Sequence, residues 1–101
     1  MSYSVRVAPR AAAQIRKAAA WWLRHRSKAP DAFAEEVERS FQLICALPGV
    51  GERVSHPEHS ELRRVLLSRV RYHLYYVVAP EEGAVDVLAL WHTARGTGPS
   101  L

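Results

Sequence analysis

Five residues in the second half of the sequence can move protons or hold a phosphate: His73, His92, Arg64, Arg71 and Arg95, with Glu61 close by in the chain. Histidine exchanges a proton near neutral pH, and arginine presents a fixed cationic fork that matches phosphate oxygens. Cutting RNA without a metal needs a base near the 2′-hydroxyl, an acid for the leaving oxygen and cations around the phosphate. If His73, His92, Arg64, Arg71 and Arg95 gather on one sheet surface, they and Glu61 are enough in kind for that reaction. The simpler account places Arg64 and Arg71 on neighbouring strands, in contact with a partner or an acidic helix, and makes His92 a hydrogen-bonded residue at a strand end. It ranks first because single histidines in strands more often serve structure than catalysis.

Other reactive residues are sparse. His56 and His59 are three apart, a spacing that could hold a metal on a helix, but Pro57 and the loop-like surroundings spoil the geometry and no further ligand is evident. No metal and no cofactor is therefore expected. The single cysteine, Cys45, excludes an intrachain disulfide and falls within an apolar helical pattern, where a thiol usually acts as a small core residue.

These side chains need elements to position them, and 101 residues suit one domain with one core. Residues 3–7 alternate, with Tyr3, Val5 and Val7 on one face and Ser4 and Arg6 on the other, which predicts a strand. Pro9 opens a helix running to about Ser27, its stripe formed by Ala12, Ile15, Ala19 and Trp22. Trp21, adjacent to Trp22, is left at the stripe's edge. A second helix opens near Pro30 and Asp31, carries Phe33, Val37, Phe41, Ile44 and Leu47, and ends at Pro48-Gly49. Residues 48–61 show no period and read as a long loop. Strands are expected over 62–67, 71–78 and 85–91, the last two joined by a tight reversal at Pro80-Glu-Glu-Gly83. The predicted fold is α+β, in the order β-α-α-β-β-β, with a helical hairpin on one face of a mainly antiparallel four-stranded sheet.

Two features bear on partners. Before Asp31 the chain carries Arg6, Arg10, Arg16, Lys17, Arg24, Arg26 and Lys28 and no acid, whereas Asp31, Glu35, Glu36 and Glu38 follow, within a net charge of +4. A basic helix packed against an acidic one accounts for this without a nucleic-acid face. In addition, the last two strands are apolar in both alternating sets (Tyr72, Leu74, Tyr76 and Val78 against Tyr75 and Val77; Val85, Val87, Ala89 and Trp91 against Leu88 and Leu90). Helices cover one face of a sheet, so a partner chain is expected on the other.

The stretch Leu62-Arg-Arg-Val-Leu-Leu-Ser-Arg-Val-Arg-Tyr-His-Leu-Tyr-Tyr-Val-Val78, closing through Val87-Leu-Ala-Leu-Trp-His-Thr-Ala-Arg95, resembles the RelE/ParE toxin superfamily, with its Arg-Arg strand, Tyr-x-x-Tyr-Tyr strand and His-x-x-Arg ending. Ala29-Pro-Asp-Ala-Phe opening the second helix and Leu47-Pro-Gly closing it extend the resemblance over nearly the whole chain. It implies a toxin neutralised by a cognate antitoxin, in a hetero-oligomer whose antitoxin tail wraps the sheet. Two activities follow from it: RelE-like members cut mRNA in the ribosomal A site, and ParE-like members poison DNA gyrase.

This chain has no lysine after Lys28 and no tyrosine after Tyr76, so the lysine-rich loop and C-terminal tyrosine of RelE are missing. The departure favours a gyrase inhibitor over an enzyme; a ribosome-dependent endoribonuclease is the first alternative, and a degenerate, non-toxic member that only binds an antitoxin-like partner is the second. Arg64, Arg71, Tyr75, Trp21, Trp91 and Arg95 are then the expected partner-binding residues, and the tail from Arg95 to Leu101 either acts on the target or frays. The opening residues contain no apolar stretch long enough for a signal peptide, and no later run approaches a membrane span, so a cytoplasmic location is expected.

Overall fold

A computed structural model describes residues 3–96 and 98–101; Met1 and Ser2 of the opening stretch and Thr97 of the tail lie outside it. Strand β1 (Ser4–Val7) leads into helix α1 (Pro9–His25), and helix α2 (Ala32–Ala46) follows after a short connection. Strands β2 (Glu52–Arg53), β3 (Arg63–Leu67), β4 (Tyr72–Ala79) and β5 (Ala84–His92) complete a sheet in the order β1-β5-β4-β3-β2. All neighbours are antiparallel except β1 and β5. Among the described residues no helix is long and apolar enough to cross a membrane.

The sheet has five strands where four were expected. The addition is β2, two residues inside the segment read as a loop, pairing Glu52 with Arg64 and Arg53 with Arg63. Two residues are too few to show an alternation, so only the pairing reveals the strand. Just before β2, Tyr76 of β4 fixes the path of the chain: its hydroxyl donates to the Pro48 carbonyl at 2.8 Å and accepts the Gly51 N–H at 2.8 Å. A Cβ on Gly51 would lie 2.7 Å from that hydroxyl and 2.8 Å from the Arg64 carbonyl, so the position has room only for glycine.

Both helices pack on one side of the sheet. Phe33, Val37 and Ile44 of α2, Ala11 and Ala18 of α1, and Leu67, Leu74, Tyr76, Val85, Val87 and Leu90 of the strands form the main core. Full burial of a side chain the size of Phe33 or Ile44 contributes about 1.5–3 kcal/mol, so this cluster carries the hairpin. The stripe of α1 is rotated from the expected one: Ala11 and Ala18 are buried, while Ala12, Ile15, Ala19 and Trp22 flank them half-buried. Trp22 donates its indole N–H to the Ala29 carbonyl at 2.7 Å, which ties the connection down. Leu47, expected to close the stripe of α2, is exposed, because it lies past the last helical residue with a non-helical backbone.

The basic and acidic helices do not neutralise each other. Among the described residues, the ion pairs join Arg6 to Glu82 and Asp86, Arg53 to Glu61, Arg64 to Glu52, and Arg69 to Glu35. None joins α1 to α2, which leaves the expected structural account of the basic helix without support.

Strand β5 departs from strict alternation. Tyr76 faces Val87 while Tyr75 faces Ala89, so Leu88 is an extra residue and forms a β-bulge. Before the bulge Val85 and Val87 face the helices; after it Leu90 and His92 do, and Ala89 and Trp91 turn to the other side. That other side is partly closed by the chain itself. Leu62, Tyr75 and Ala89 are buried there, with Val54, Val77, Leu88, Trp91 and Leu101 packed around them. The Arg10 guanidinium donates to the Ser100 carbonyl at 2.5 Å, which helps hold residues 98–101 in place. The second face, expected to await a partner, is thus covered in its centre by the chain's own loop and tail.

Tyr76→Phe removes a hydroxyl that satisfies two backbone groups. We expect it to lower stability by about 1–3 kcal/mol, and Gly51→Ala to lower it further by overpacking. Urea unfolding followed by circular dichroism measures both; an unchanged midpoint for Tyr76→Phe would show that the bridge contributes nothing.

Candidate functional site

The side of the sheet away from the helices holds a polar cluster at β2, β3 and β4. Arg64 of β3 donates from Nε to Glu52 Oε1 at 2.5 Å and from Nη1 to the Tyr75 hydroxyl at 3.1 Å, and its guanidinium carbon lies 5.9 Å from the centre of the Tyr75 ring. Glu52 stands opposite Arg64 in the β2–β3 pairing, and Tyr75 opposite it in β3–β4. The hydrogen bond from Arg64, and its charge, hold the Glu52 carboxyl below the usual carboxylate range. The same arginine is pushed upward by its two hydrogen-bond partners. Glu52 is the member that sequence reasoning missed, since its role depends on a pairing that leaves no periodic trace.

His73 joins this cluster two residues before Tyr75, with the rings 6.2 Å apart and edge-to-face. Half-burial lowers its pKa first; the Arg64 and Arg71 cations act in the same direction, while Glu52 opposes them. The imidazole is therefore held neutral at neutral pH, in a form able to accept a proton.

His92 is not in the cluster. It stands opposite Tyr72, and His73 opposite Trp91, so consecutive β5 residues send the two histidines' partners to opposite sides of the sheet. His92 packs edge-on against Tyr72 with ring centres 4.9 Å apart, and its Nδ1 accepts the Ala94 N–H at 3.0 Å. The arrangement in which His73 and His92 share one surface is not formed, and His92 is the hydrogen-bonded strand-end residue of the simpler account: the bulge at Leu88 reverses the facing of everything after it. Without that extra residue, His92 would lie on the side of Asp86, which faces Val77 and is therefore on the side of His73.

The remaining expected residues disperse. Glu61 lies in the loop, paired with Arg53 at 3.1 Å. Arg71 is not on a strand but in the β3–β4 turn, in the left-handed region with φ of 66°; its carbonyl accepts the Thr93 N–H at 2.9 Å. Arg95 follows β5, with its guanidinium 4.2 Å from the centre of the Trp91 ring. Tyr75, expected to meet a partner, is buried, and a Cβ on Gly98 would come within 3.7 Å of its hydroxyl. Trp21 is 40% exposed, as its place at the stripe's edge predicts. His56 and His59 lie with ring centres 5.0 Å apart, and His56 Nδ1 accepts the Glu58 N–H at 3.1 Å.

A family model described as the ParE toxin of the type II toxin-antitoxin system parDE matches residues 5–96. Among solved structures, a chain of the chromosomal ParDE system from P. aeruginosa superimposes with a TM-score of 0.72 at 16% identity, covering 90% of this chain and 96% of that one. A chain of the RelBE2 toxin-antitoxin complex from Mycobacterium tuberculosis gives 0.67 at 23% identity, covering 94% and 95%. The isolated E. coli RelE toxin gives 0.66 at 18%, covering 94% and 88%. At these identities the likeness is one of fold. Among curated protein sequences none matches.

The electrostatics of the cluster are open to titration. We expect NMR to place the His73 pKa below the ordinary histidine value and to find it raised in Arg64→Met, which removes a cation and frees the Glu52 carboxylate. An unmoved or lowered value in the variant would exclude Arg64 as a determinant of His73.

Proposed function

The chain belongs to the ParE toxin family of type II toxin-antitoxin systems, and from that premise we propose that it is a ParE-like toxin that inhibits DNA gyrase by binding. It acts in the cytoplasm, where a cognate antitoxin neutralises it. The observation that carries this reading is the separation of the histidines by the β5 bulge. Metal-free RNA cleavage needs a proton acceptor and a donor on either side of one phosphate. Here His73 shares its surface with a tyrosine that is buried and a glutamate already engaged by Arg64. The absence of any lysine after Lys28 and any tyrosine after Tyr76 supports the same reading.

The antitoxin has a surface suited to it. Leu43, Leu47, Val50 and Leu66 are all more than two-fifths exposed, along the end of α2, the turn after it and β3. Next to them the pairing of β2 with β3 stops at Arg64, so the outer edge of β3 from Val65 to Leu67 is open among the described residues. An amphipathic or extended antitoxin segment would bury the leucines and pair with that edge. Arg64, Arg71, Trp21, Trp91 and Arg95 remain candidates for contact with the target or the antitoxin; Tyr75 supports Arg64 from beneath.

The alternative is a ribosome-dependent endoribonuclease built on Arg64, His73 and Glu52, and RelE relatives of the same fold motivate it. General acid-base groups contribute about a hundred- to ten-thousand-fold each. We expect His73→Gln/His92→Gln to arrest growth like the parent, purified gyrase to lose supercoiling activity in the presence of the parent protein, and ribosome-bound mRNA to stay intact. Codon-specific cuts in that mRNA, lost in the double variant, would replace the gyrase reading with the nuclease one.

A further inference from the structure

At the end of the sheet opposite the β2 loop, two clefts of about 210 and 310 Å³ open side by side between α1 and the ends of β4 and β5. They share Trp21, Tyr72 and His92 as common walls. Their rims carry Lys17 and Arg95 on one side and Arg26, Arg69 and Arg71 on the other, and among the described residues no acidic one lines either cleft. Arg69 is drawn towards Glu35 at 3.9 Å. Lys17, Arg26, Arg71 and Arg95 have no ion-pair partner among the described residues, so their charge is available to a ligand.

Trp21 stays 40% exposed although His25 covers one face of its ring. The Trp21 ring stacks on His25 with centres 4.5 Å apart and 16° between planes, and Arg26 lies 5.2 Å from the Trp21 ring centre. We propose that these joined clefts bind single-stranded nucleic acid, with bases stacking on Trp21 and the Tyr72–His92 wall and phosphates meeting Lys17, Arg26, Arg71 and Arg95. Stacking faces interleaved with cations along a groove are what such a strand requires, whatever its base sequence. An acidic peptide would gain most from free main-chain partners, and one that the groove would offer is engaged within the chain. The N–H of Leu90, on the stretch of β5 beyond its pairing with β1, is already taken by Gln14 Oε1 at 2.9 Å. The strained backbone of Arg71 serves the same end, because the left-handed turn sets a cation at the cleft's lip.

The test is a fluorescence-anisotropy titration of the full chain with labelled ten-nucleotide oligo-dT and oligo-U. Trp21→Ala should weaken binding by about five- to a hundredfold, the range for loss of one stacking platform. Arg26→Gln/Arg71→Gln should weaken it and flatten its dependence on salt. Arg39→Gln/Arg53→Gln, which removes the same formal charge elsewhere, should leave it within about twofold. Duplex DNA, free mononucleotides and a polyglutamate peptide should compete poorly. Equal losses in the two arginine pairs, no effect of Trp21→Ala with the arginine pair also silent, or competition by polyglutamate as strong as by oligo-dT would each overturn the proposal. The arginine pair keeps the test decisive should Trp21→Ala fail to fold.

Discussion

Strand β4 is hydrogen-bonded along both edges, and its neighbour β5 carries one residue more than the pairing can use. That extra residue, Leu88, governs what each side of the sheet becomes. Side chains alternate with a period of two, so a single insertion exchanges the faces of all that follows. Before it, Val85 and Val87 enter the helix-covered core; after it, Leu90 takes over that role and Ala89 and Trp91 build the second, smaller cluster. Two cores on two faces let a short chain bury the apolar residues of both alternating sets.

The second cluster has a cost in ordering residues 98–101, which offers little apolar area beyond Leu101. Arg10, from the first turn of α1, offsets part of it by holding the Ser100 carbonyl. The arrangement makes Tyr75 a buried support and leaves Arg64 and His73, the candidate site residues of that side, at its margin. Arg64 is consequently fixed by two partners rather than free to swing, which suits a surface that recognises a partner of fixed shape.

Charge is segregated along with the faces. The cations of α1 find no acids on α2, whose Glu36 instead accepts the Arg69 N–H at 2.9 Å and whose Glu35 leans towards the same residue. The acidic helix thus steadies the β3–β4 turn, and the basic one keeps its charge for the solvent side. The surface proposed for the antitoxin and the strand-binding groove are compatible with this division, since the leucine-rich surface at α2 and β3 and the cationic clefts at α1 and β5 lie on different parts of the molecule.

The amino-acid pattern alone determined the fold class, both helices, the three longer strands and the exposure of Trp21, because these rest on periodicities that extend over many residues. It also identified Arg64 and His73 as functional candidates by their chemistry. Three things were decided only in the folded chain. The two-residue strand β2 was too short for any period, so Glu52 went unnoticed beside Arg64. The bulge at Leu88 hid within a run where both alternating sets are apolar, so neither register looked wrong, and a surface shared by His73 and His92 stayed open beside the simpler account of His92 as a strand-end residue. The cover supplied by Leu101 depends on a contact between residues far apart in sequence. Local pattern specifies which way a strand alternates; the partner strand alone specifies where that alternation is reset.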